Sequence, residues 1–253
     1  MELSAILESL FRWIHIVAGI VWIGHLYFFN FVNAPMGAAL DGPTKQKVVP
    51  ELMPRALYWF RWGAAWTWVT GVLLLLLVFW HGGAALEAGR TFGPGAVIMI
   101  LVTFLAAALY DVLAKSPLSK NLIVLAFVGW ILVGVVILLY KGVGFGYRGY
   151  VIHTGALFGT IMAYNVWMRI WPAQREIIRA TKQGTPPDAA KVAMAGARSR
   201  HNTYLSVPLI WMMINQHTTY PFGSHWTTLW AAIPIGWAGV YLLYVKAPKV
   251  KGF

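Results

Sequence analysis

Histidine offers the most chemistry in this chain. The seven histidines lie inside long apolar runs or at their ends, not in the polar connections between them. An imidazole is costly to bury in an apolar medium without a partner, so these positions are the first place to look for function. A pair of imidazoles from separate helices is one way to hold the iron of a haem b through two axial nitrogens. The chain has no cysteine. That excludes disulfides, thiolate metal sites, iron–sulfur clusters and a covalent c-type haem, which needs Cys-x-x-Cys-His, so any haem must be held non-covalently.

The elements that position these residues follow from hydropathy. Mean hydropathy is +0.64, and 11% of residues are charged against 59% hydrophobic. Crossing roughly 30 Å of hydrocarbon takes about 20 apolar residues. Seven runs meet that length: 6–32, 62–80, 96–114, 122–140, 150–171, 195–216 and 226–245. Backbone groups must be satisfied internally in lipid and no β-barrel alternation is present, so an all-α, polytopic transmembrane helix bundle is expected. No repeat or composition shift marks a second unit, so 1–253 is expected to form one transmembrane helical domain. The 14 Trp, 11 Tyr and 13 Phe suit helix ends at headgroup level.

The net charge of +12 raises the question of nucleic acid. The cations sit between apolar runs, however, where anionic lipid and the positive-inside rule account for them, and no nucleic-acid partner is expected. One side carries Lys45, Lys47, Arg55, Arg61, Lys115, Lys120, the cluster Arg169 to Arg200, and Lys246, Lys249 and Lys251; the other has Arg12, Arg90, Lys141 and Arg148. This asymmetry predicts an N-terminus outside and a C-terminus in the cytoplasm. The stretch Met1 to Arg12 has no small-residue cleavage site before its apolar run, so no removed signal peptide is expected. Gly-Thr-Pro-Pro-Asp at 184–188 is expected to turn the longest cytoplasmic connection between two amphipathic helix ends.

Depth then sorts the histidines. His15, His153 and His217 fall in the outer half on three different helices, while His201 and His25 lie toward the cytoplasm. His15 and His25 are about 15 Å apart in rise and roughly 80° off one face, and His201 and His217 are about 24 Å apart, so neither pair can share one iron. The three outer imidazoles could meet; His15 and His153, in apolar surroundings with small residues close by, are the expected axial ligands, with His217 in reserve and His201 as a further cofactor-binding candidate. Ala18, Gly19, Gly155, Ala156 and Gly159 would let a flat macrocycle approach the backbone. The plainer roles stay open beside these: a lone intramembrane histidine can bond a carbonyl or hydroxyl, His81 and His225 are interfacial, and His25 can form a polar patch with Asn30 and Asn33. Arg12, Arg148 and Asn215 with Gln216 on the outer side, or Asn165, Arg200, His201 and Asn202 on the inner one, could clamp an anionic substrate. Arginines at such positions also anchor by snorkelling, and asparagines also join helices.

Several segments carry a resemblance. Arg12-Trp-Ile-His-Ile-Val-Ala-Gly-Ile-Val-Trp-Ile-Gly24, His153-Thr-Gly-Ala-Leu-Phe-Gly-Thr-Ile-Met-Ala-Tyr-Asn-Val166 with Trp171-Pro-Ala-Gln-Arg175, and Arg198-Ser-Arg-His-Asn-Thr-Tyr-Leu-Ser-Val-Pro208 with Met212-Met-Ile-Asn-Gln-His217 resemble the membrane domain of the integral-membrane urate oxidases, or urate hydroxylases. The similarity extends over nearly the whole chain. It implies a multi-pass protein of the bacterial inner (cytoplasmic) membrane that removes two electrons and a proton from urate, a planar anion, and adds water. Relatives typically add a further helix and a C-terminal cytochrome c domain. The sequence reaches Phe253 without a cysteine, so electrons are expected to pass to a separate cytochrome c or a respiratory-complex subunit. His25 stands where the family pattern leads one to expect a small residue. Two other classes fit the same residues: a haem-bearing electron-transfer subunit of a respiratory or photosynthetic complex without its own substrate site, and a non-haem transporter or assembly factor.

Overall fold

Seven helical rods make up the computed structural model, which describes residues 3–217 and 225–250; Lys251, one of the tail cations, lies outside the described residues. They are α1 (Leu3–Ala39) and α2 (Gly42–His81), α3 (Pro94–Leu113), α4 (Leu122–Gly142), α5 (147–182), α6 (Ala189–Asn215) and α7 (Trp226–Lys246). No strand occurs among the described residues apart from an isolated antiparallel bridge between Leu86 and Phe145, so the all-α expectation holds. Side-chain oxygens close the helix starts as the sequence chemistry requires: Asp41 Oδ1 accepts from Thr44 N at 2.8 Å, Asn121 Oδ1 from Ile123 N at 2.9 Å, and Asp188 Oδ1 from Ala190 N at 2.8 Å. Gly184 follows the end of α5 with φ +69°, the left-handed conformation that glycine takes most easily after a helix. The turn at 184–188 is thus built from Gly184 at one end and the Asp188 cap at the other.

Five of the rods, α1 to α4 and α7, are long and apolar enough to cross a bilayer. The other two expected spans, α5 and α6, carry His153, Asn165, Arg169, Arg198, His201 and Asn202. They form the interior. From Gly149 to Gly155 every residue of α5 is buried, whereas Trp13, Ile16, Val17 and Ile20 of α1 point away from the protein. A helix covered by its neighbours need not be apolar on every face, which is why polar residues concentrate on these two.

Close helix contacts hold the others around this interior. At Gly63 of α2 an added Cβ would lie 3.0 Å from Trp22 N and 3.2 Å from Ala18 O of α1, so the two backbones cross there. Trp130 of α4 and Trp230 of α7 stack at 3.9 Å, and each indole N–H donates to the other's carbonyl, at 3.0 and 3.1 Å. Three π turns interrupt the rods, at Phe28–Asn33, Leu75–His81 and Asn165–Ile170. Such turns are rare and recur at functional sites.

The connection after α2 folds back over the start of α5. Glu87 N donates to Gly144 O and Gly146 N to Ala85 O, both at 3.0 Å. Gly149 touches the same strip: a Cβ there would fall 1.8 Å from Ala85 O. Helix propensity would return only about 1 kcal/mol to Gly149→Ala, against overpacking that typically costs about 1–3 kcal/mol. The variant is expected to lower the thermal midpoint of the detergent-solubilised protein, while Gly129→Ala, where no atom lies within 4 Å, does not.

Candidate functional site

His153 is wholly enclosed. Its Nδ1 donates to Gly149 O at 2.7 Å, one turn back on α5, and the indole N–H of Trp80, in the π turn of α2, donates to Nε2 at 2.9 Å. Phe145 packs edge-on at 4.8 Å, Tyr140 at 5.8 Å and Phe79 at 6.5 Å. This network fixes the neutral tautomer with its lone pair on Nε2, which is the form in which histidine binds a metal.

His15 reaches the same tautomer by another route. The Thr70 hydroxyl gives its proton to Trp66 O at 2.6 Å, so toward His15 Nδ1, 3.2 Å away, it can only accept. Nε2 again keeps the lone pair. The two imidazoles nevertheless meet α2 on different levels, His15 at Thr70 and His153 at Trp80, roughly 15 Å of rise apart. In this arrangement they do not face a common point. Nor does Gly155 offer a flat surface: an added Cβ there would lie 2.7 Å from Met213 Cε and 3.3 Å from Met212 Cβ, so it serves the contact with α6. At Gly159 no atom lies within 4 Å.

Among the candidates expected on the outer side, Arg148 shares the Phe79 ring with His153. Arg12 is paired with Glu8 one turn away on α1, and Arg148 stands 5.8 Å over the Phe79 ring with its Nε unpartnered. His217 is exposed just past α6. Partial burial and the guanidiniums of Arg12 and Arg148 push its pKa below the ordinary value. Asn215 is spent on structure: Nδ2 donates to Trp211 O at 3.0 Å, and its carbonyl accepts from Tyr147 Oη at 2.9 Å. The amide of Gln216 donates to Met213 O at 3.3 Å, leaving its Oε1 unpartnered.

A second polar group, holding candidates expected toward the cytoplasm, is centred on Tyr110. Its hydroxyl bonds His201 Nδ1 at 2.8 Å and accepts from Asn165 Nδ2 at 3.0 Å. Asn165 Nδ2 also donates to Asn202 Oδ1 at 2.8 Å, and Asn202 Nδ2 to Met162 O at 3.0 Å. Next to Tyr110, Asp111 is buried and shared by three cations. Arg169 grips both of its oxygens, Arg198 Nη2 lies 2.9 Å from Oδ1, and Lys115 Nζ lies 2.7 Å from Oδ2. Of the four inner candidates, Asn165, His201 and Asn202 therefore come together. Arg200 does not: it lies 5.5 Å over the Tyr244 ring of α7.

The remaining histidines have local roles. His25 Nδ1 bonds Val21 O at 2.7 Å. Asn30, expected beside it, instead donates to Ser199 Oγ at 2.8 Å and accepts from Tyr244 Oη at 2.8 Å, joining α1 to α6 and α7. His225 caps α7, accepting from Thr227 N at 3.4 Å, and His81 is exposed. Among the described residues no three of His, Asp and Glu gather as a metal site would require.

Comparison with known families now bears on this arrangement. The family described as Urate oxidase N-terminal matches residues 37–247, most of the chain. The chain belongs to that family. No similar protein was found among the curated proteins, and no similar structure among the solved ones. The matched region of this Urate oxidase N-terminal chain contains His153, His201, His217, Arg148 and the whole group around Tyr110, whereas Arg12, His15 and His25 precede it.

Sequence reading passed over Trp80, Tyr110, Asp111, Arg169 and Arg198. A signal existed for Asp111, the one acid within the third apolar run, since an intramembrane carboxylate is itself a functional pointer. Trp80 carried none among 14 tryptophans. Asp111 and Arg198 have side chains 8% and 3% exposed, while Lys115 is 56% exposed. Asp111→Asn leaves buried Arg198 without its carboxylate and is expected to cost about 3–5 kcal/mol, whereas Lys115→Ala is expected to cost below about 1 kcal/mol. Thermal unfolding of the two variants in the same detergent checks the difference.

Proposed function

We propose that this chain is the membrane-embedded part of a urate-oxidising system of the bacterial inner membrane. It holds haem b non-covalently and passes electrons to a separate cytochrome c or respiratory-complex subunit. The proposed topology is a seven-span bundle with the N-terminus outside and the C-terminus in the cytoplasm: the charge asymmetry supports the orientation, and α5 and α6 cross within the sheath of the five apolar helices.

His153 carries this reading. The chemistry of its donor set would suit a ligand of haem iron, because Nδ1 is committed to Gly149 O and the lone pair sits on Nε2, the nitrogen to which Trp80 donates here. His15 presents the same tautomer and is proposed as the second ligand, which requires α1 and α5 to bring the two imidazoles to one level. Bound haem b would supply one-electron redox chemistry. The chain's own residues do the rest. Aromatic rings exclude water from His153, and the cations of either polar group attract an anionic substrate from its side of the membrane.

Purified with adequate haem supply, the protein is expected to show a Soret band that shifts on dithionite reduction, and urate alone should reduce it in part. His153→Ala is expected to abolish the band, and His15→Ala to weaken or abolish it; His81→Ala and His225→Ala should leave it intact. A colourless wild-type protein would refute the haem, and a band indifferent to urate would favour an electron-transfer subunit without its own substrate site.

A further inference from the structure

The group around Tyr110 contains two buried polar atoms without partners, and they are of opposite kind. Arg198 Nη1 is a cationic donor, and Asn165 Oδ1 is a neutral acceptor. Both side chains touch Tyr110, Asn165 through the hydroxyl at 3.0 Å and Arg198 with Cζ 5.1 Å from the ring centroid. Leaving either atom unsatisfied in a buried site costs stability unless something fills it.

The outward direction of the Asn165 oxygen is fixed by its neighbours. Asn202 Nδ2 donates to a carbonyl, Met162 O, so Asn202 must present Oδ1 to Asn165, and Asn165 must answer with its amide nitrogen. Flipping the Asn165 amide would set two oxygens against each other. Asn165 also opens the π turn Asn165–Ile170, and that turn carries Arg169 onto Asp111. Charge is likewise unbalanced. One carboxylate, Asp111, serves Arg198, Arg169 and Lys115.

We propose that this cluster on the cytoplasmic side is a binding site for a planar heterocyclic anion of the urate or xanthine type. Arg198 meets an exocyclic oxygen that shares the negative charge, and Asn165 Oδ1 accepts the neighbouring ring N–H. A fully deprotonated oxyanion such as sulfate would satisfy the guanidinium and be repelled by the amide oxygen. Water would satisfy both hydrogen bonds and leave the excess positive charge uncompensated. An N–H beside a C–O⁻ on one flat edge answers all three requirements. This assignment rests on the urate-oxidising reading above and adds to it the face of the membrane and the two residues that orient the substrate.

The test is equilibrium binding of radiolabelled urate to the full chain in detergent, without an electron acceptor, so that no turnover is needed. Wild type is expected to bind urate, with inorganic sulfate failing to compete. Asn165→Leu and Arg198→Gln are expected to weaken binding tenfold or more, and Arg200→Gln, on the opposite side of α6, is expected to leave it unchanged. A ligand series keeps the test independent of variant folding. Urates methylated at successive ring nitrogens should bind to wild type except where the methyl replaces the N–H that faces Asn165. No urate binding to wild type, equal binding by Asn165→Leu and Arg198→Gln, or indifference to the position of every methyl group would each overturn the site. Urate-dependent reduction of a Soret band that survives Asn165→Leu unchanged would overturn the site while leaving the redox reading in place.

Discussion

Lipid cannot hydrogen-bond a side chain, and this bundle is arranged around that restriction. Most buried polar side chains sit on α5 and α6, the helices that others cover, and α5, buried residue after residue from Gly149 to Gly155, is the axis of the protein. Asp111 extends the same restriction to charge. A carboxylate and a guanidinium can both be buried there because each is compensated, and the compensation ties α3, α5 and α6 together. The apolar sheath and the charged junction are therefore interdependent: without the sheath the ion pairs would meet water, and without the ion pairs the inner helices would carry unpaired charge.

Two polar centres result, with different character. The outer one is an aromatic box around a neutral imidazole, dry and without a carboxylate in contact. The inner one is rich in cations and amides. In the proposed function the first carries electrons and the second recognises the anion. Thr103 and Tyr140, bonded at 2.7 Å, lie between them on α3 and α4; on α3, Thr103 and Tyr110 are seven residues apart and so share a face.

Much of the fold was legible because hydrocarbon thickness sets a length that sequence displays directly. Apolar runs at 96–114, 122–140 and 226–245 match α3, α4 and α7 closely. The second run was expected from Trp62, yet α2 begins at Gly42. Residues 42–61 are helical outside any apolar run, carry Lys45, Lys47, Glu51 and three prolines, and are held by packing against the polar end of α5, which hydropathy cannot register. The histidines were found because their type alone marks them. Their partners were not, since Trp80 and His153 are 73 residues apart, and Asp111 and Arg198 are 87 apart. Those contacts exist only after the rods pack.

The π turn at Asn165–Ile170 has a consequence for evolution. A helix widened in this way holds one residue more than an α turn would, and by absorbing it the turn keeps every later side chain on the rod in phase with its partners. Losing a single residue there would restore regular winding, leave the later part of the rod in register and re-aim only side chains within the turn, Arg169 among them. Elsewhere along the rod the same loss would rotate every later side chain by about 100°, so single-residue length changes should be better tolerated at this turn than in the regular helix on either side.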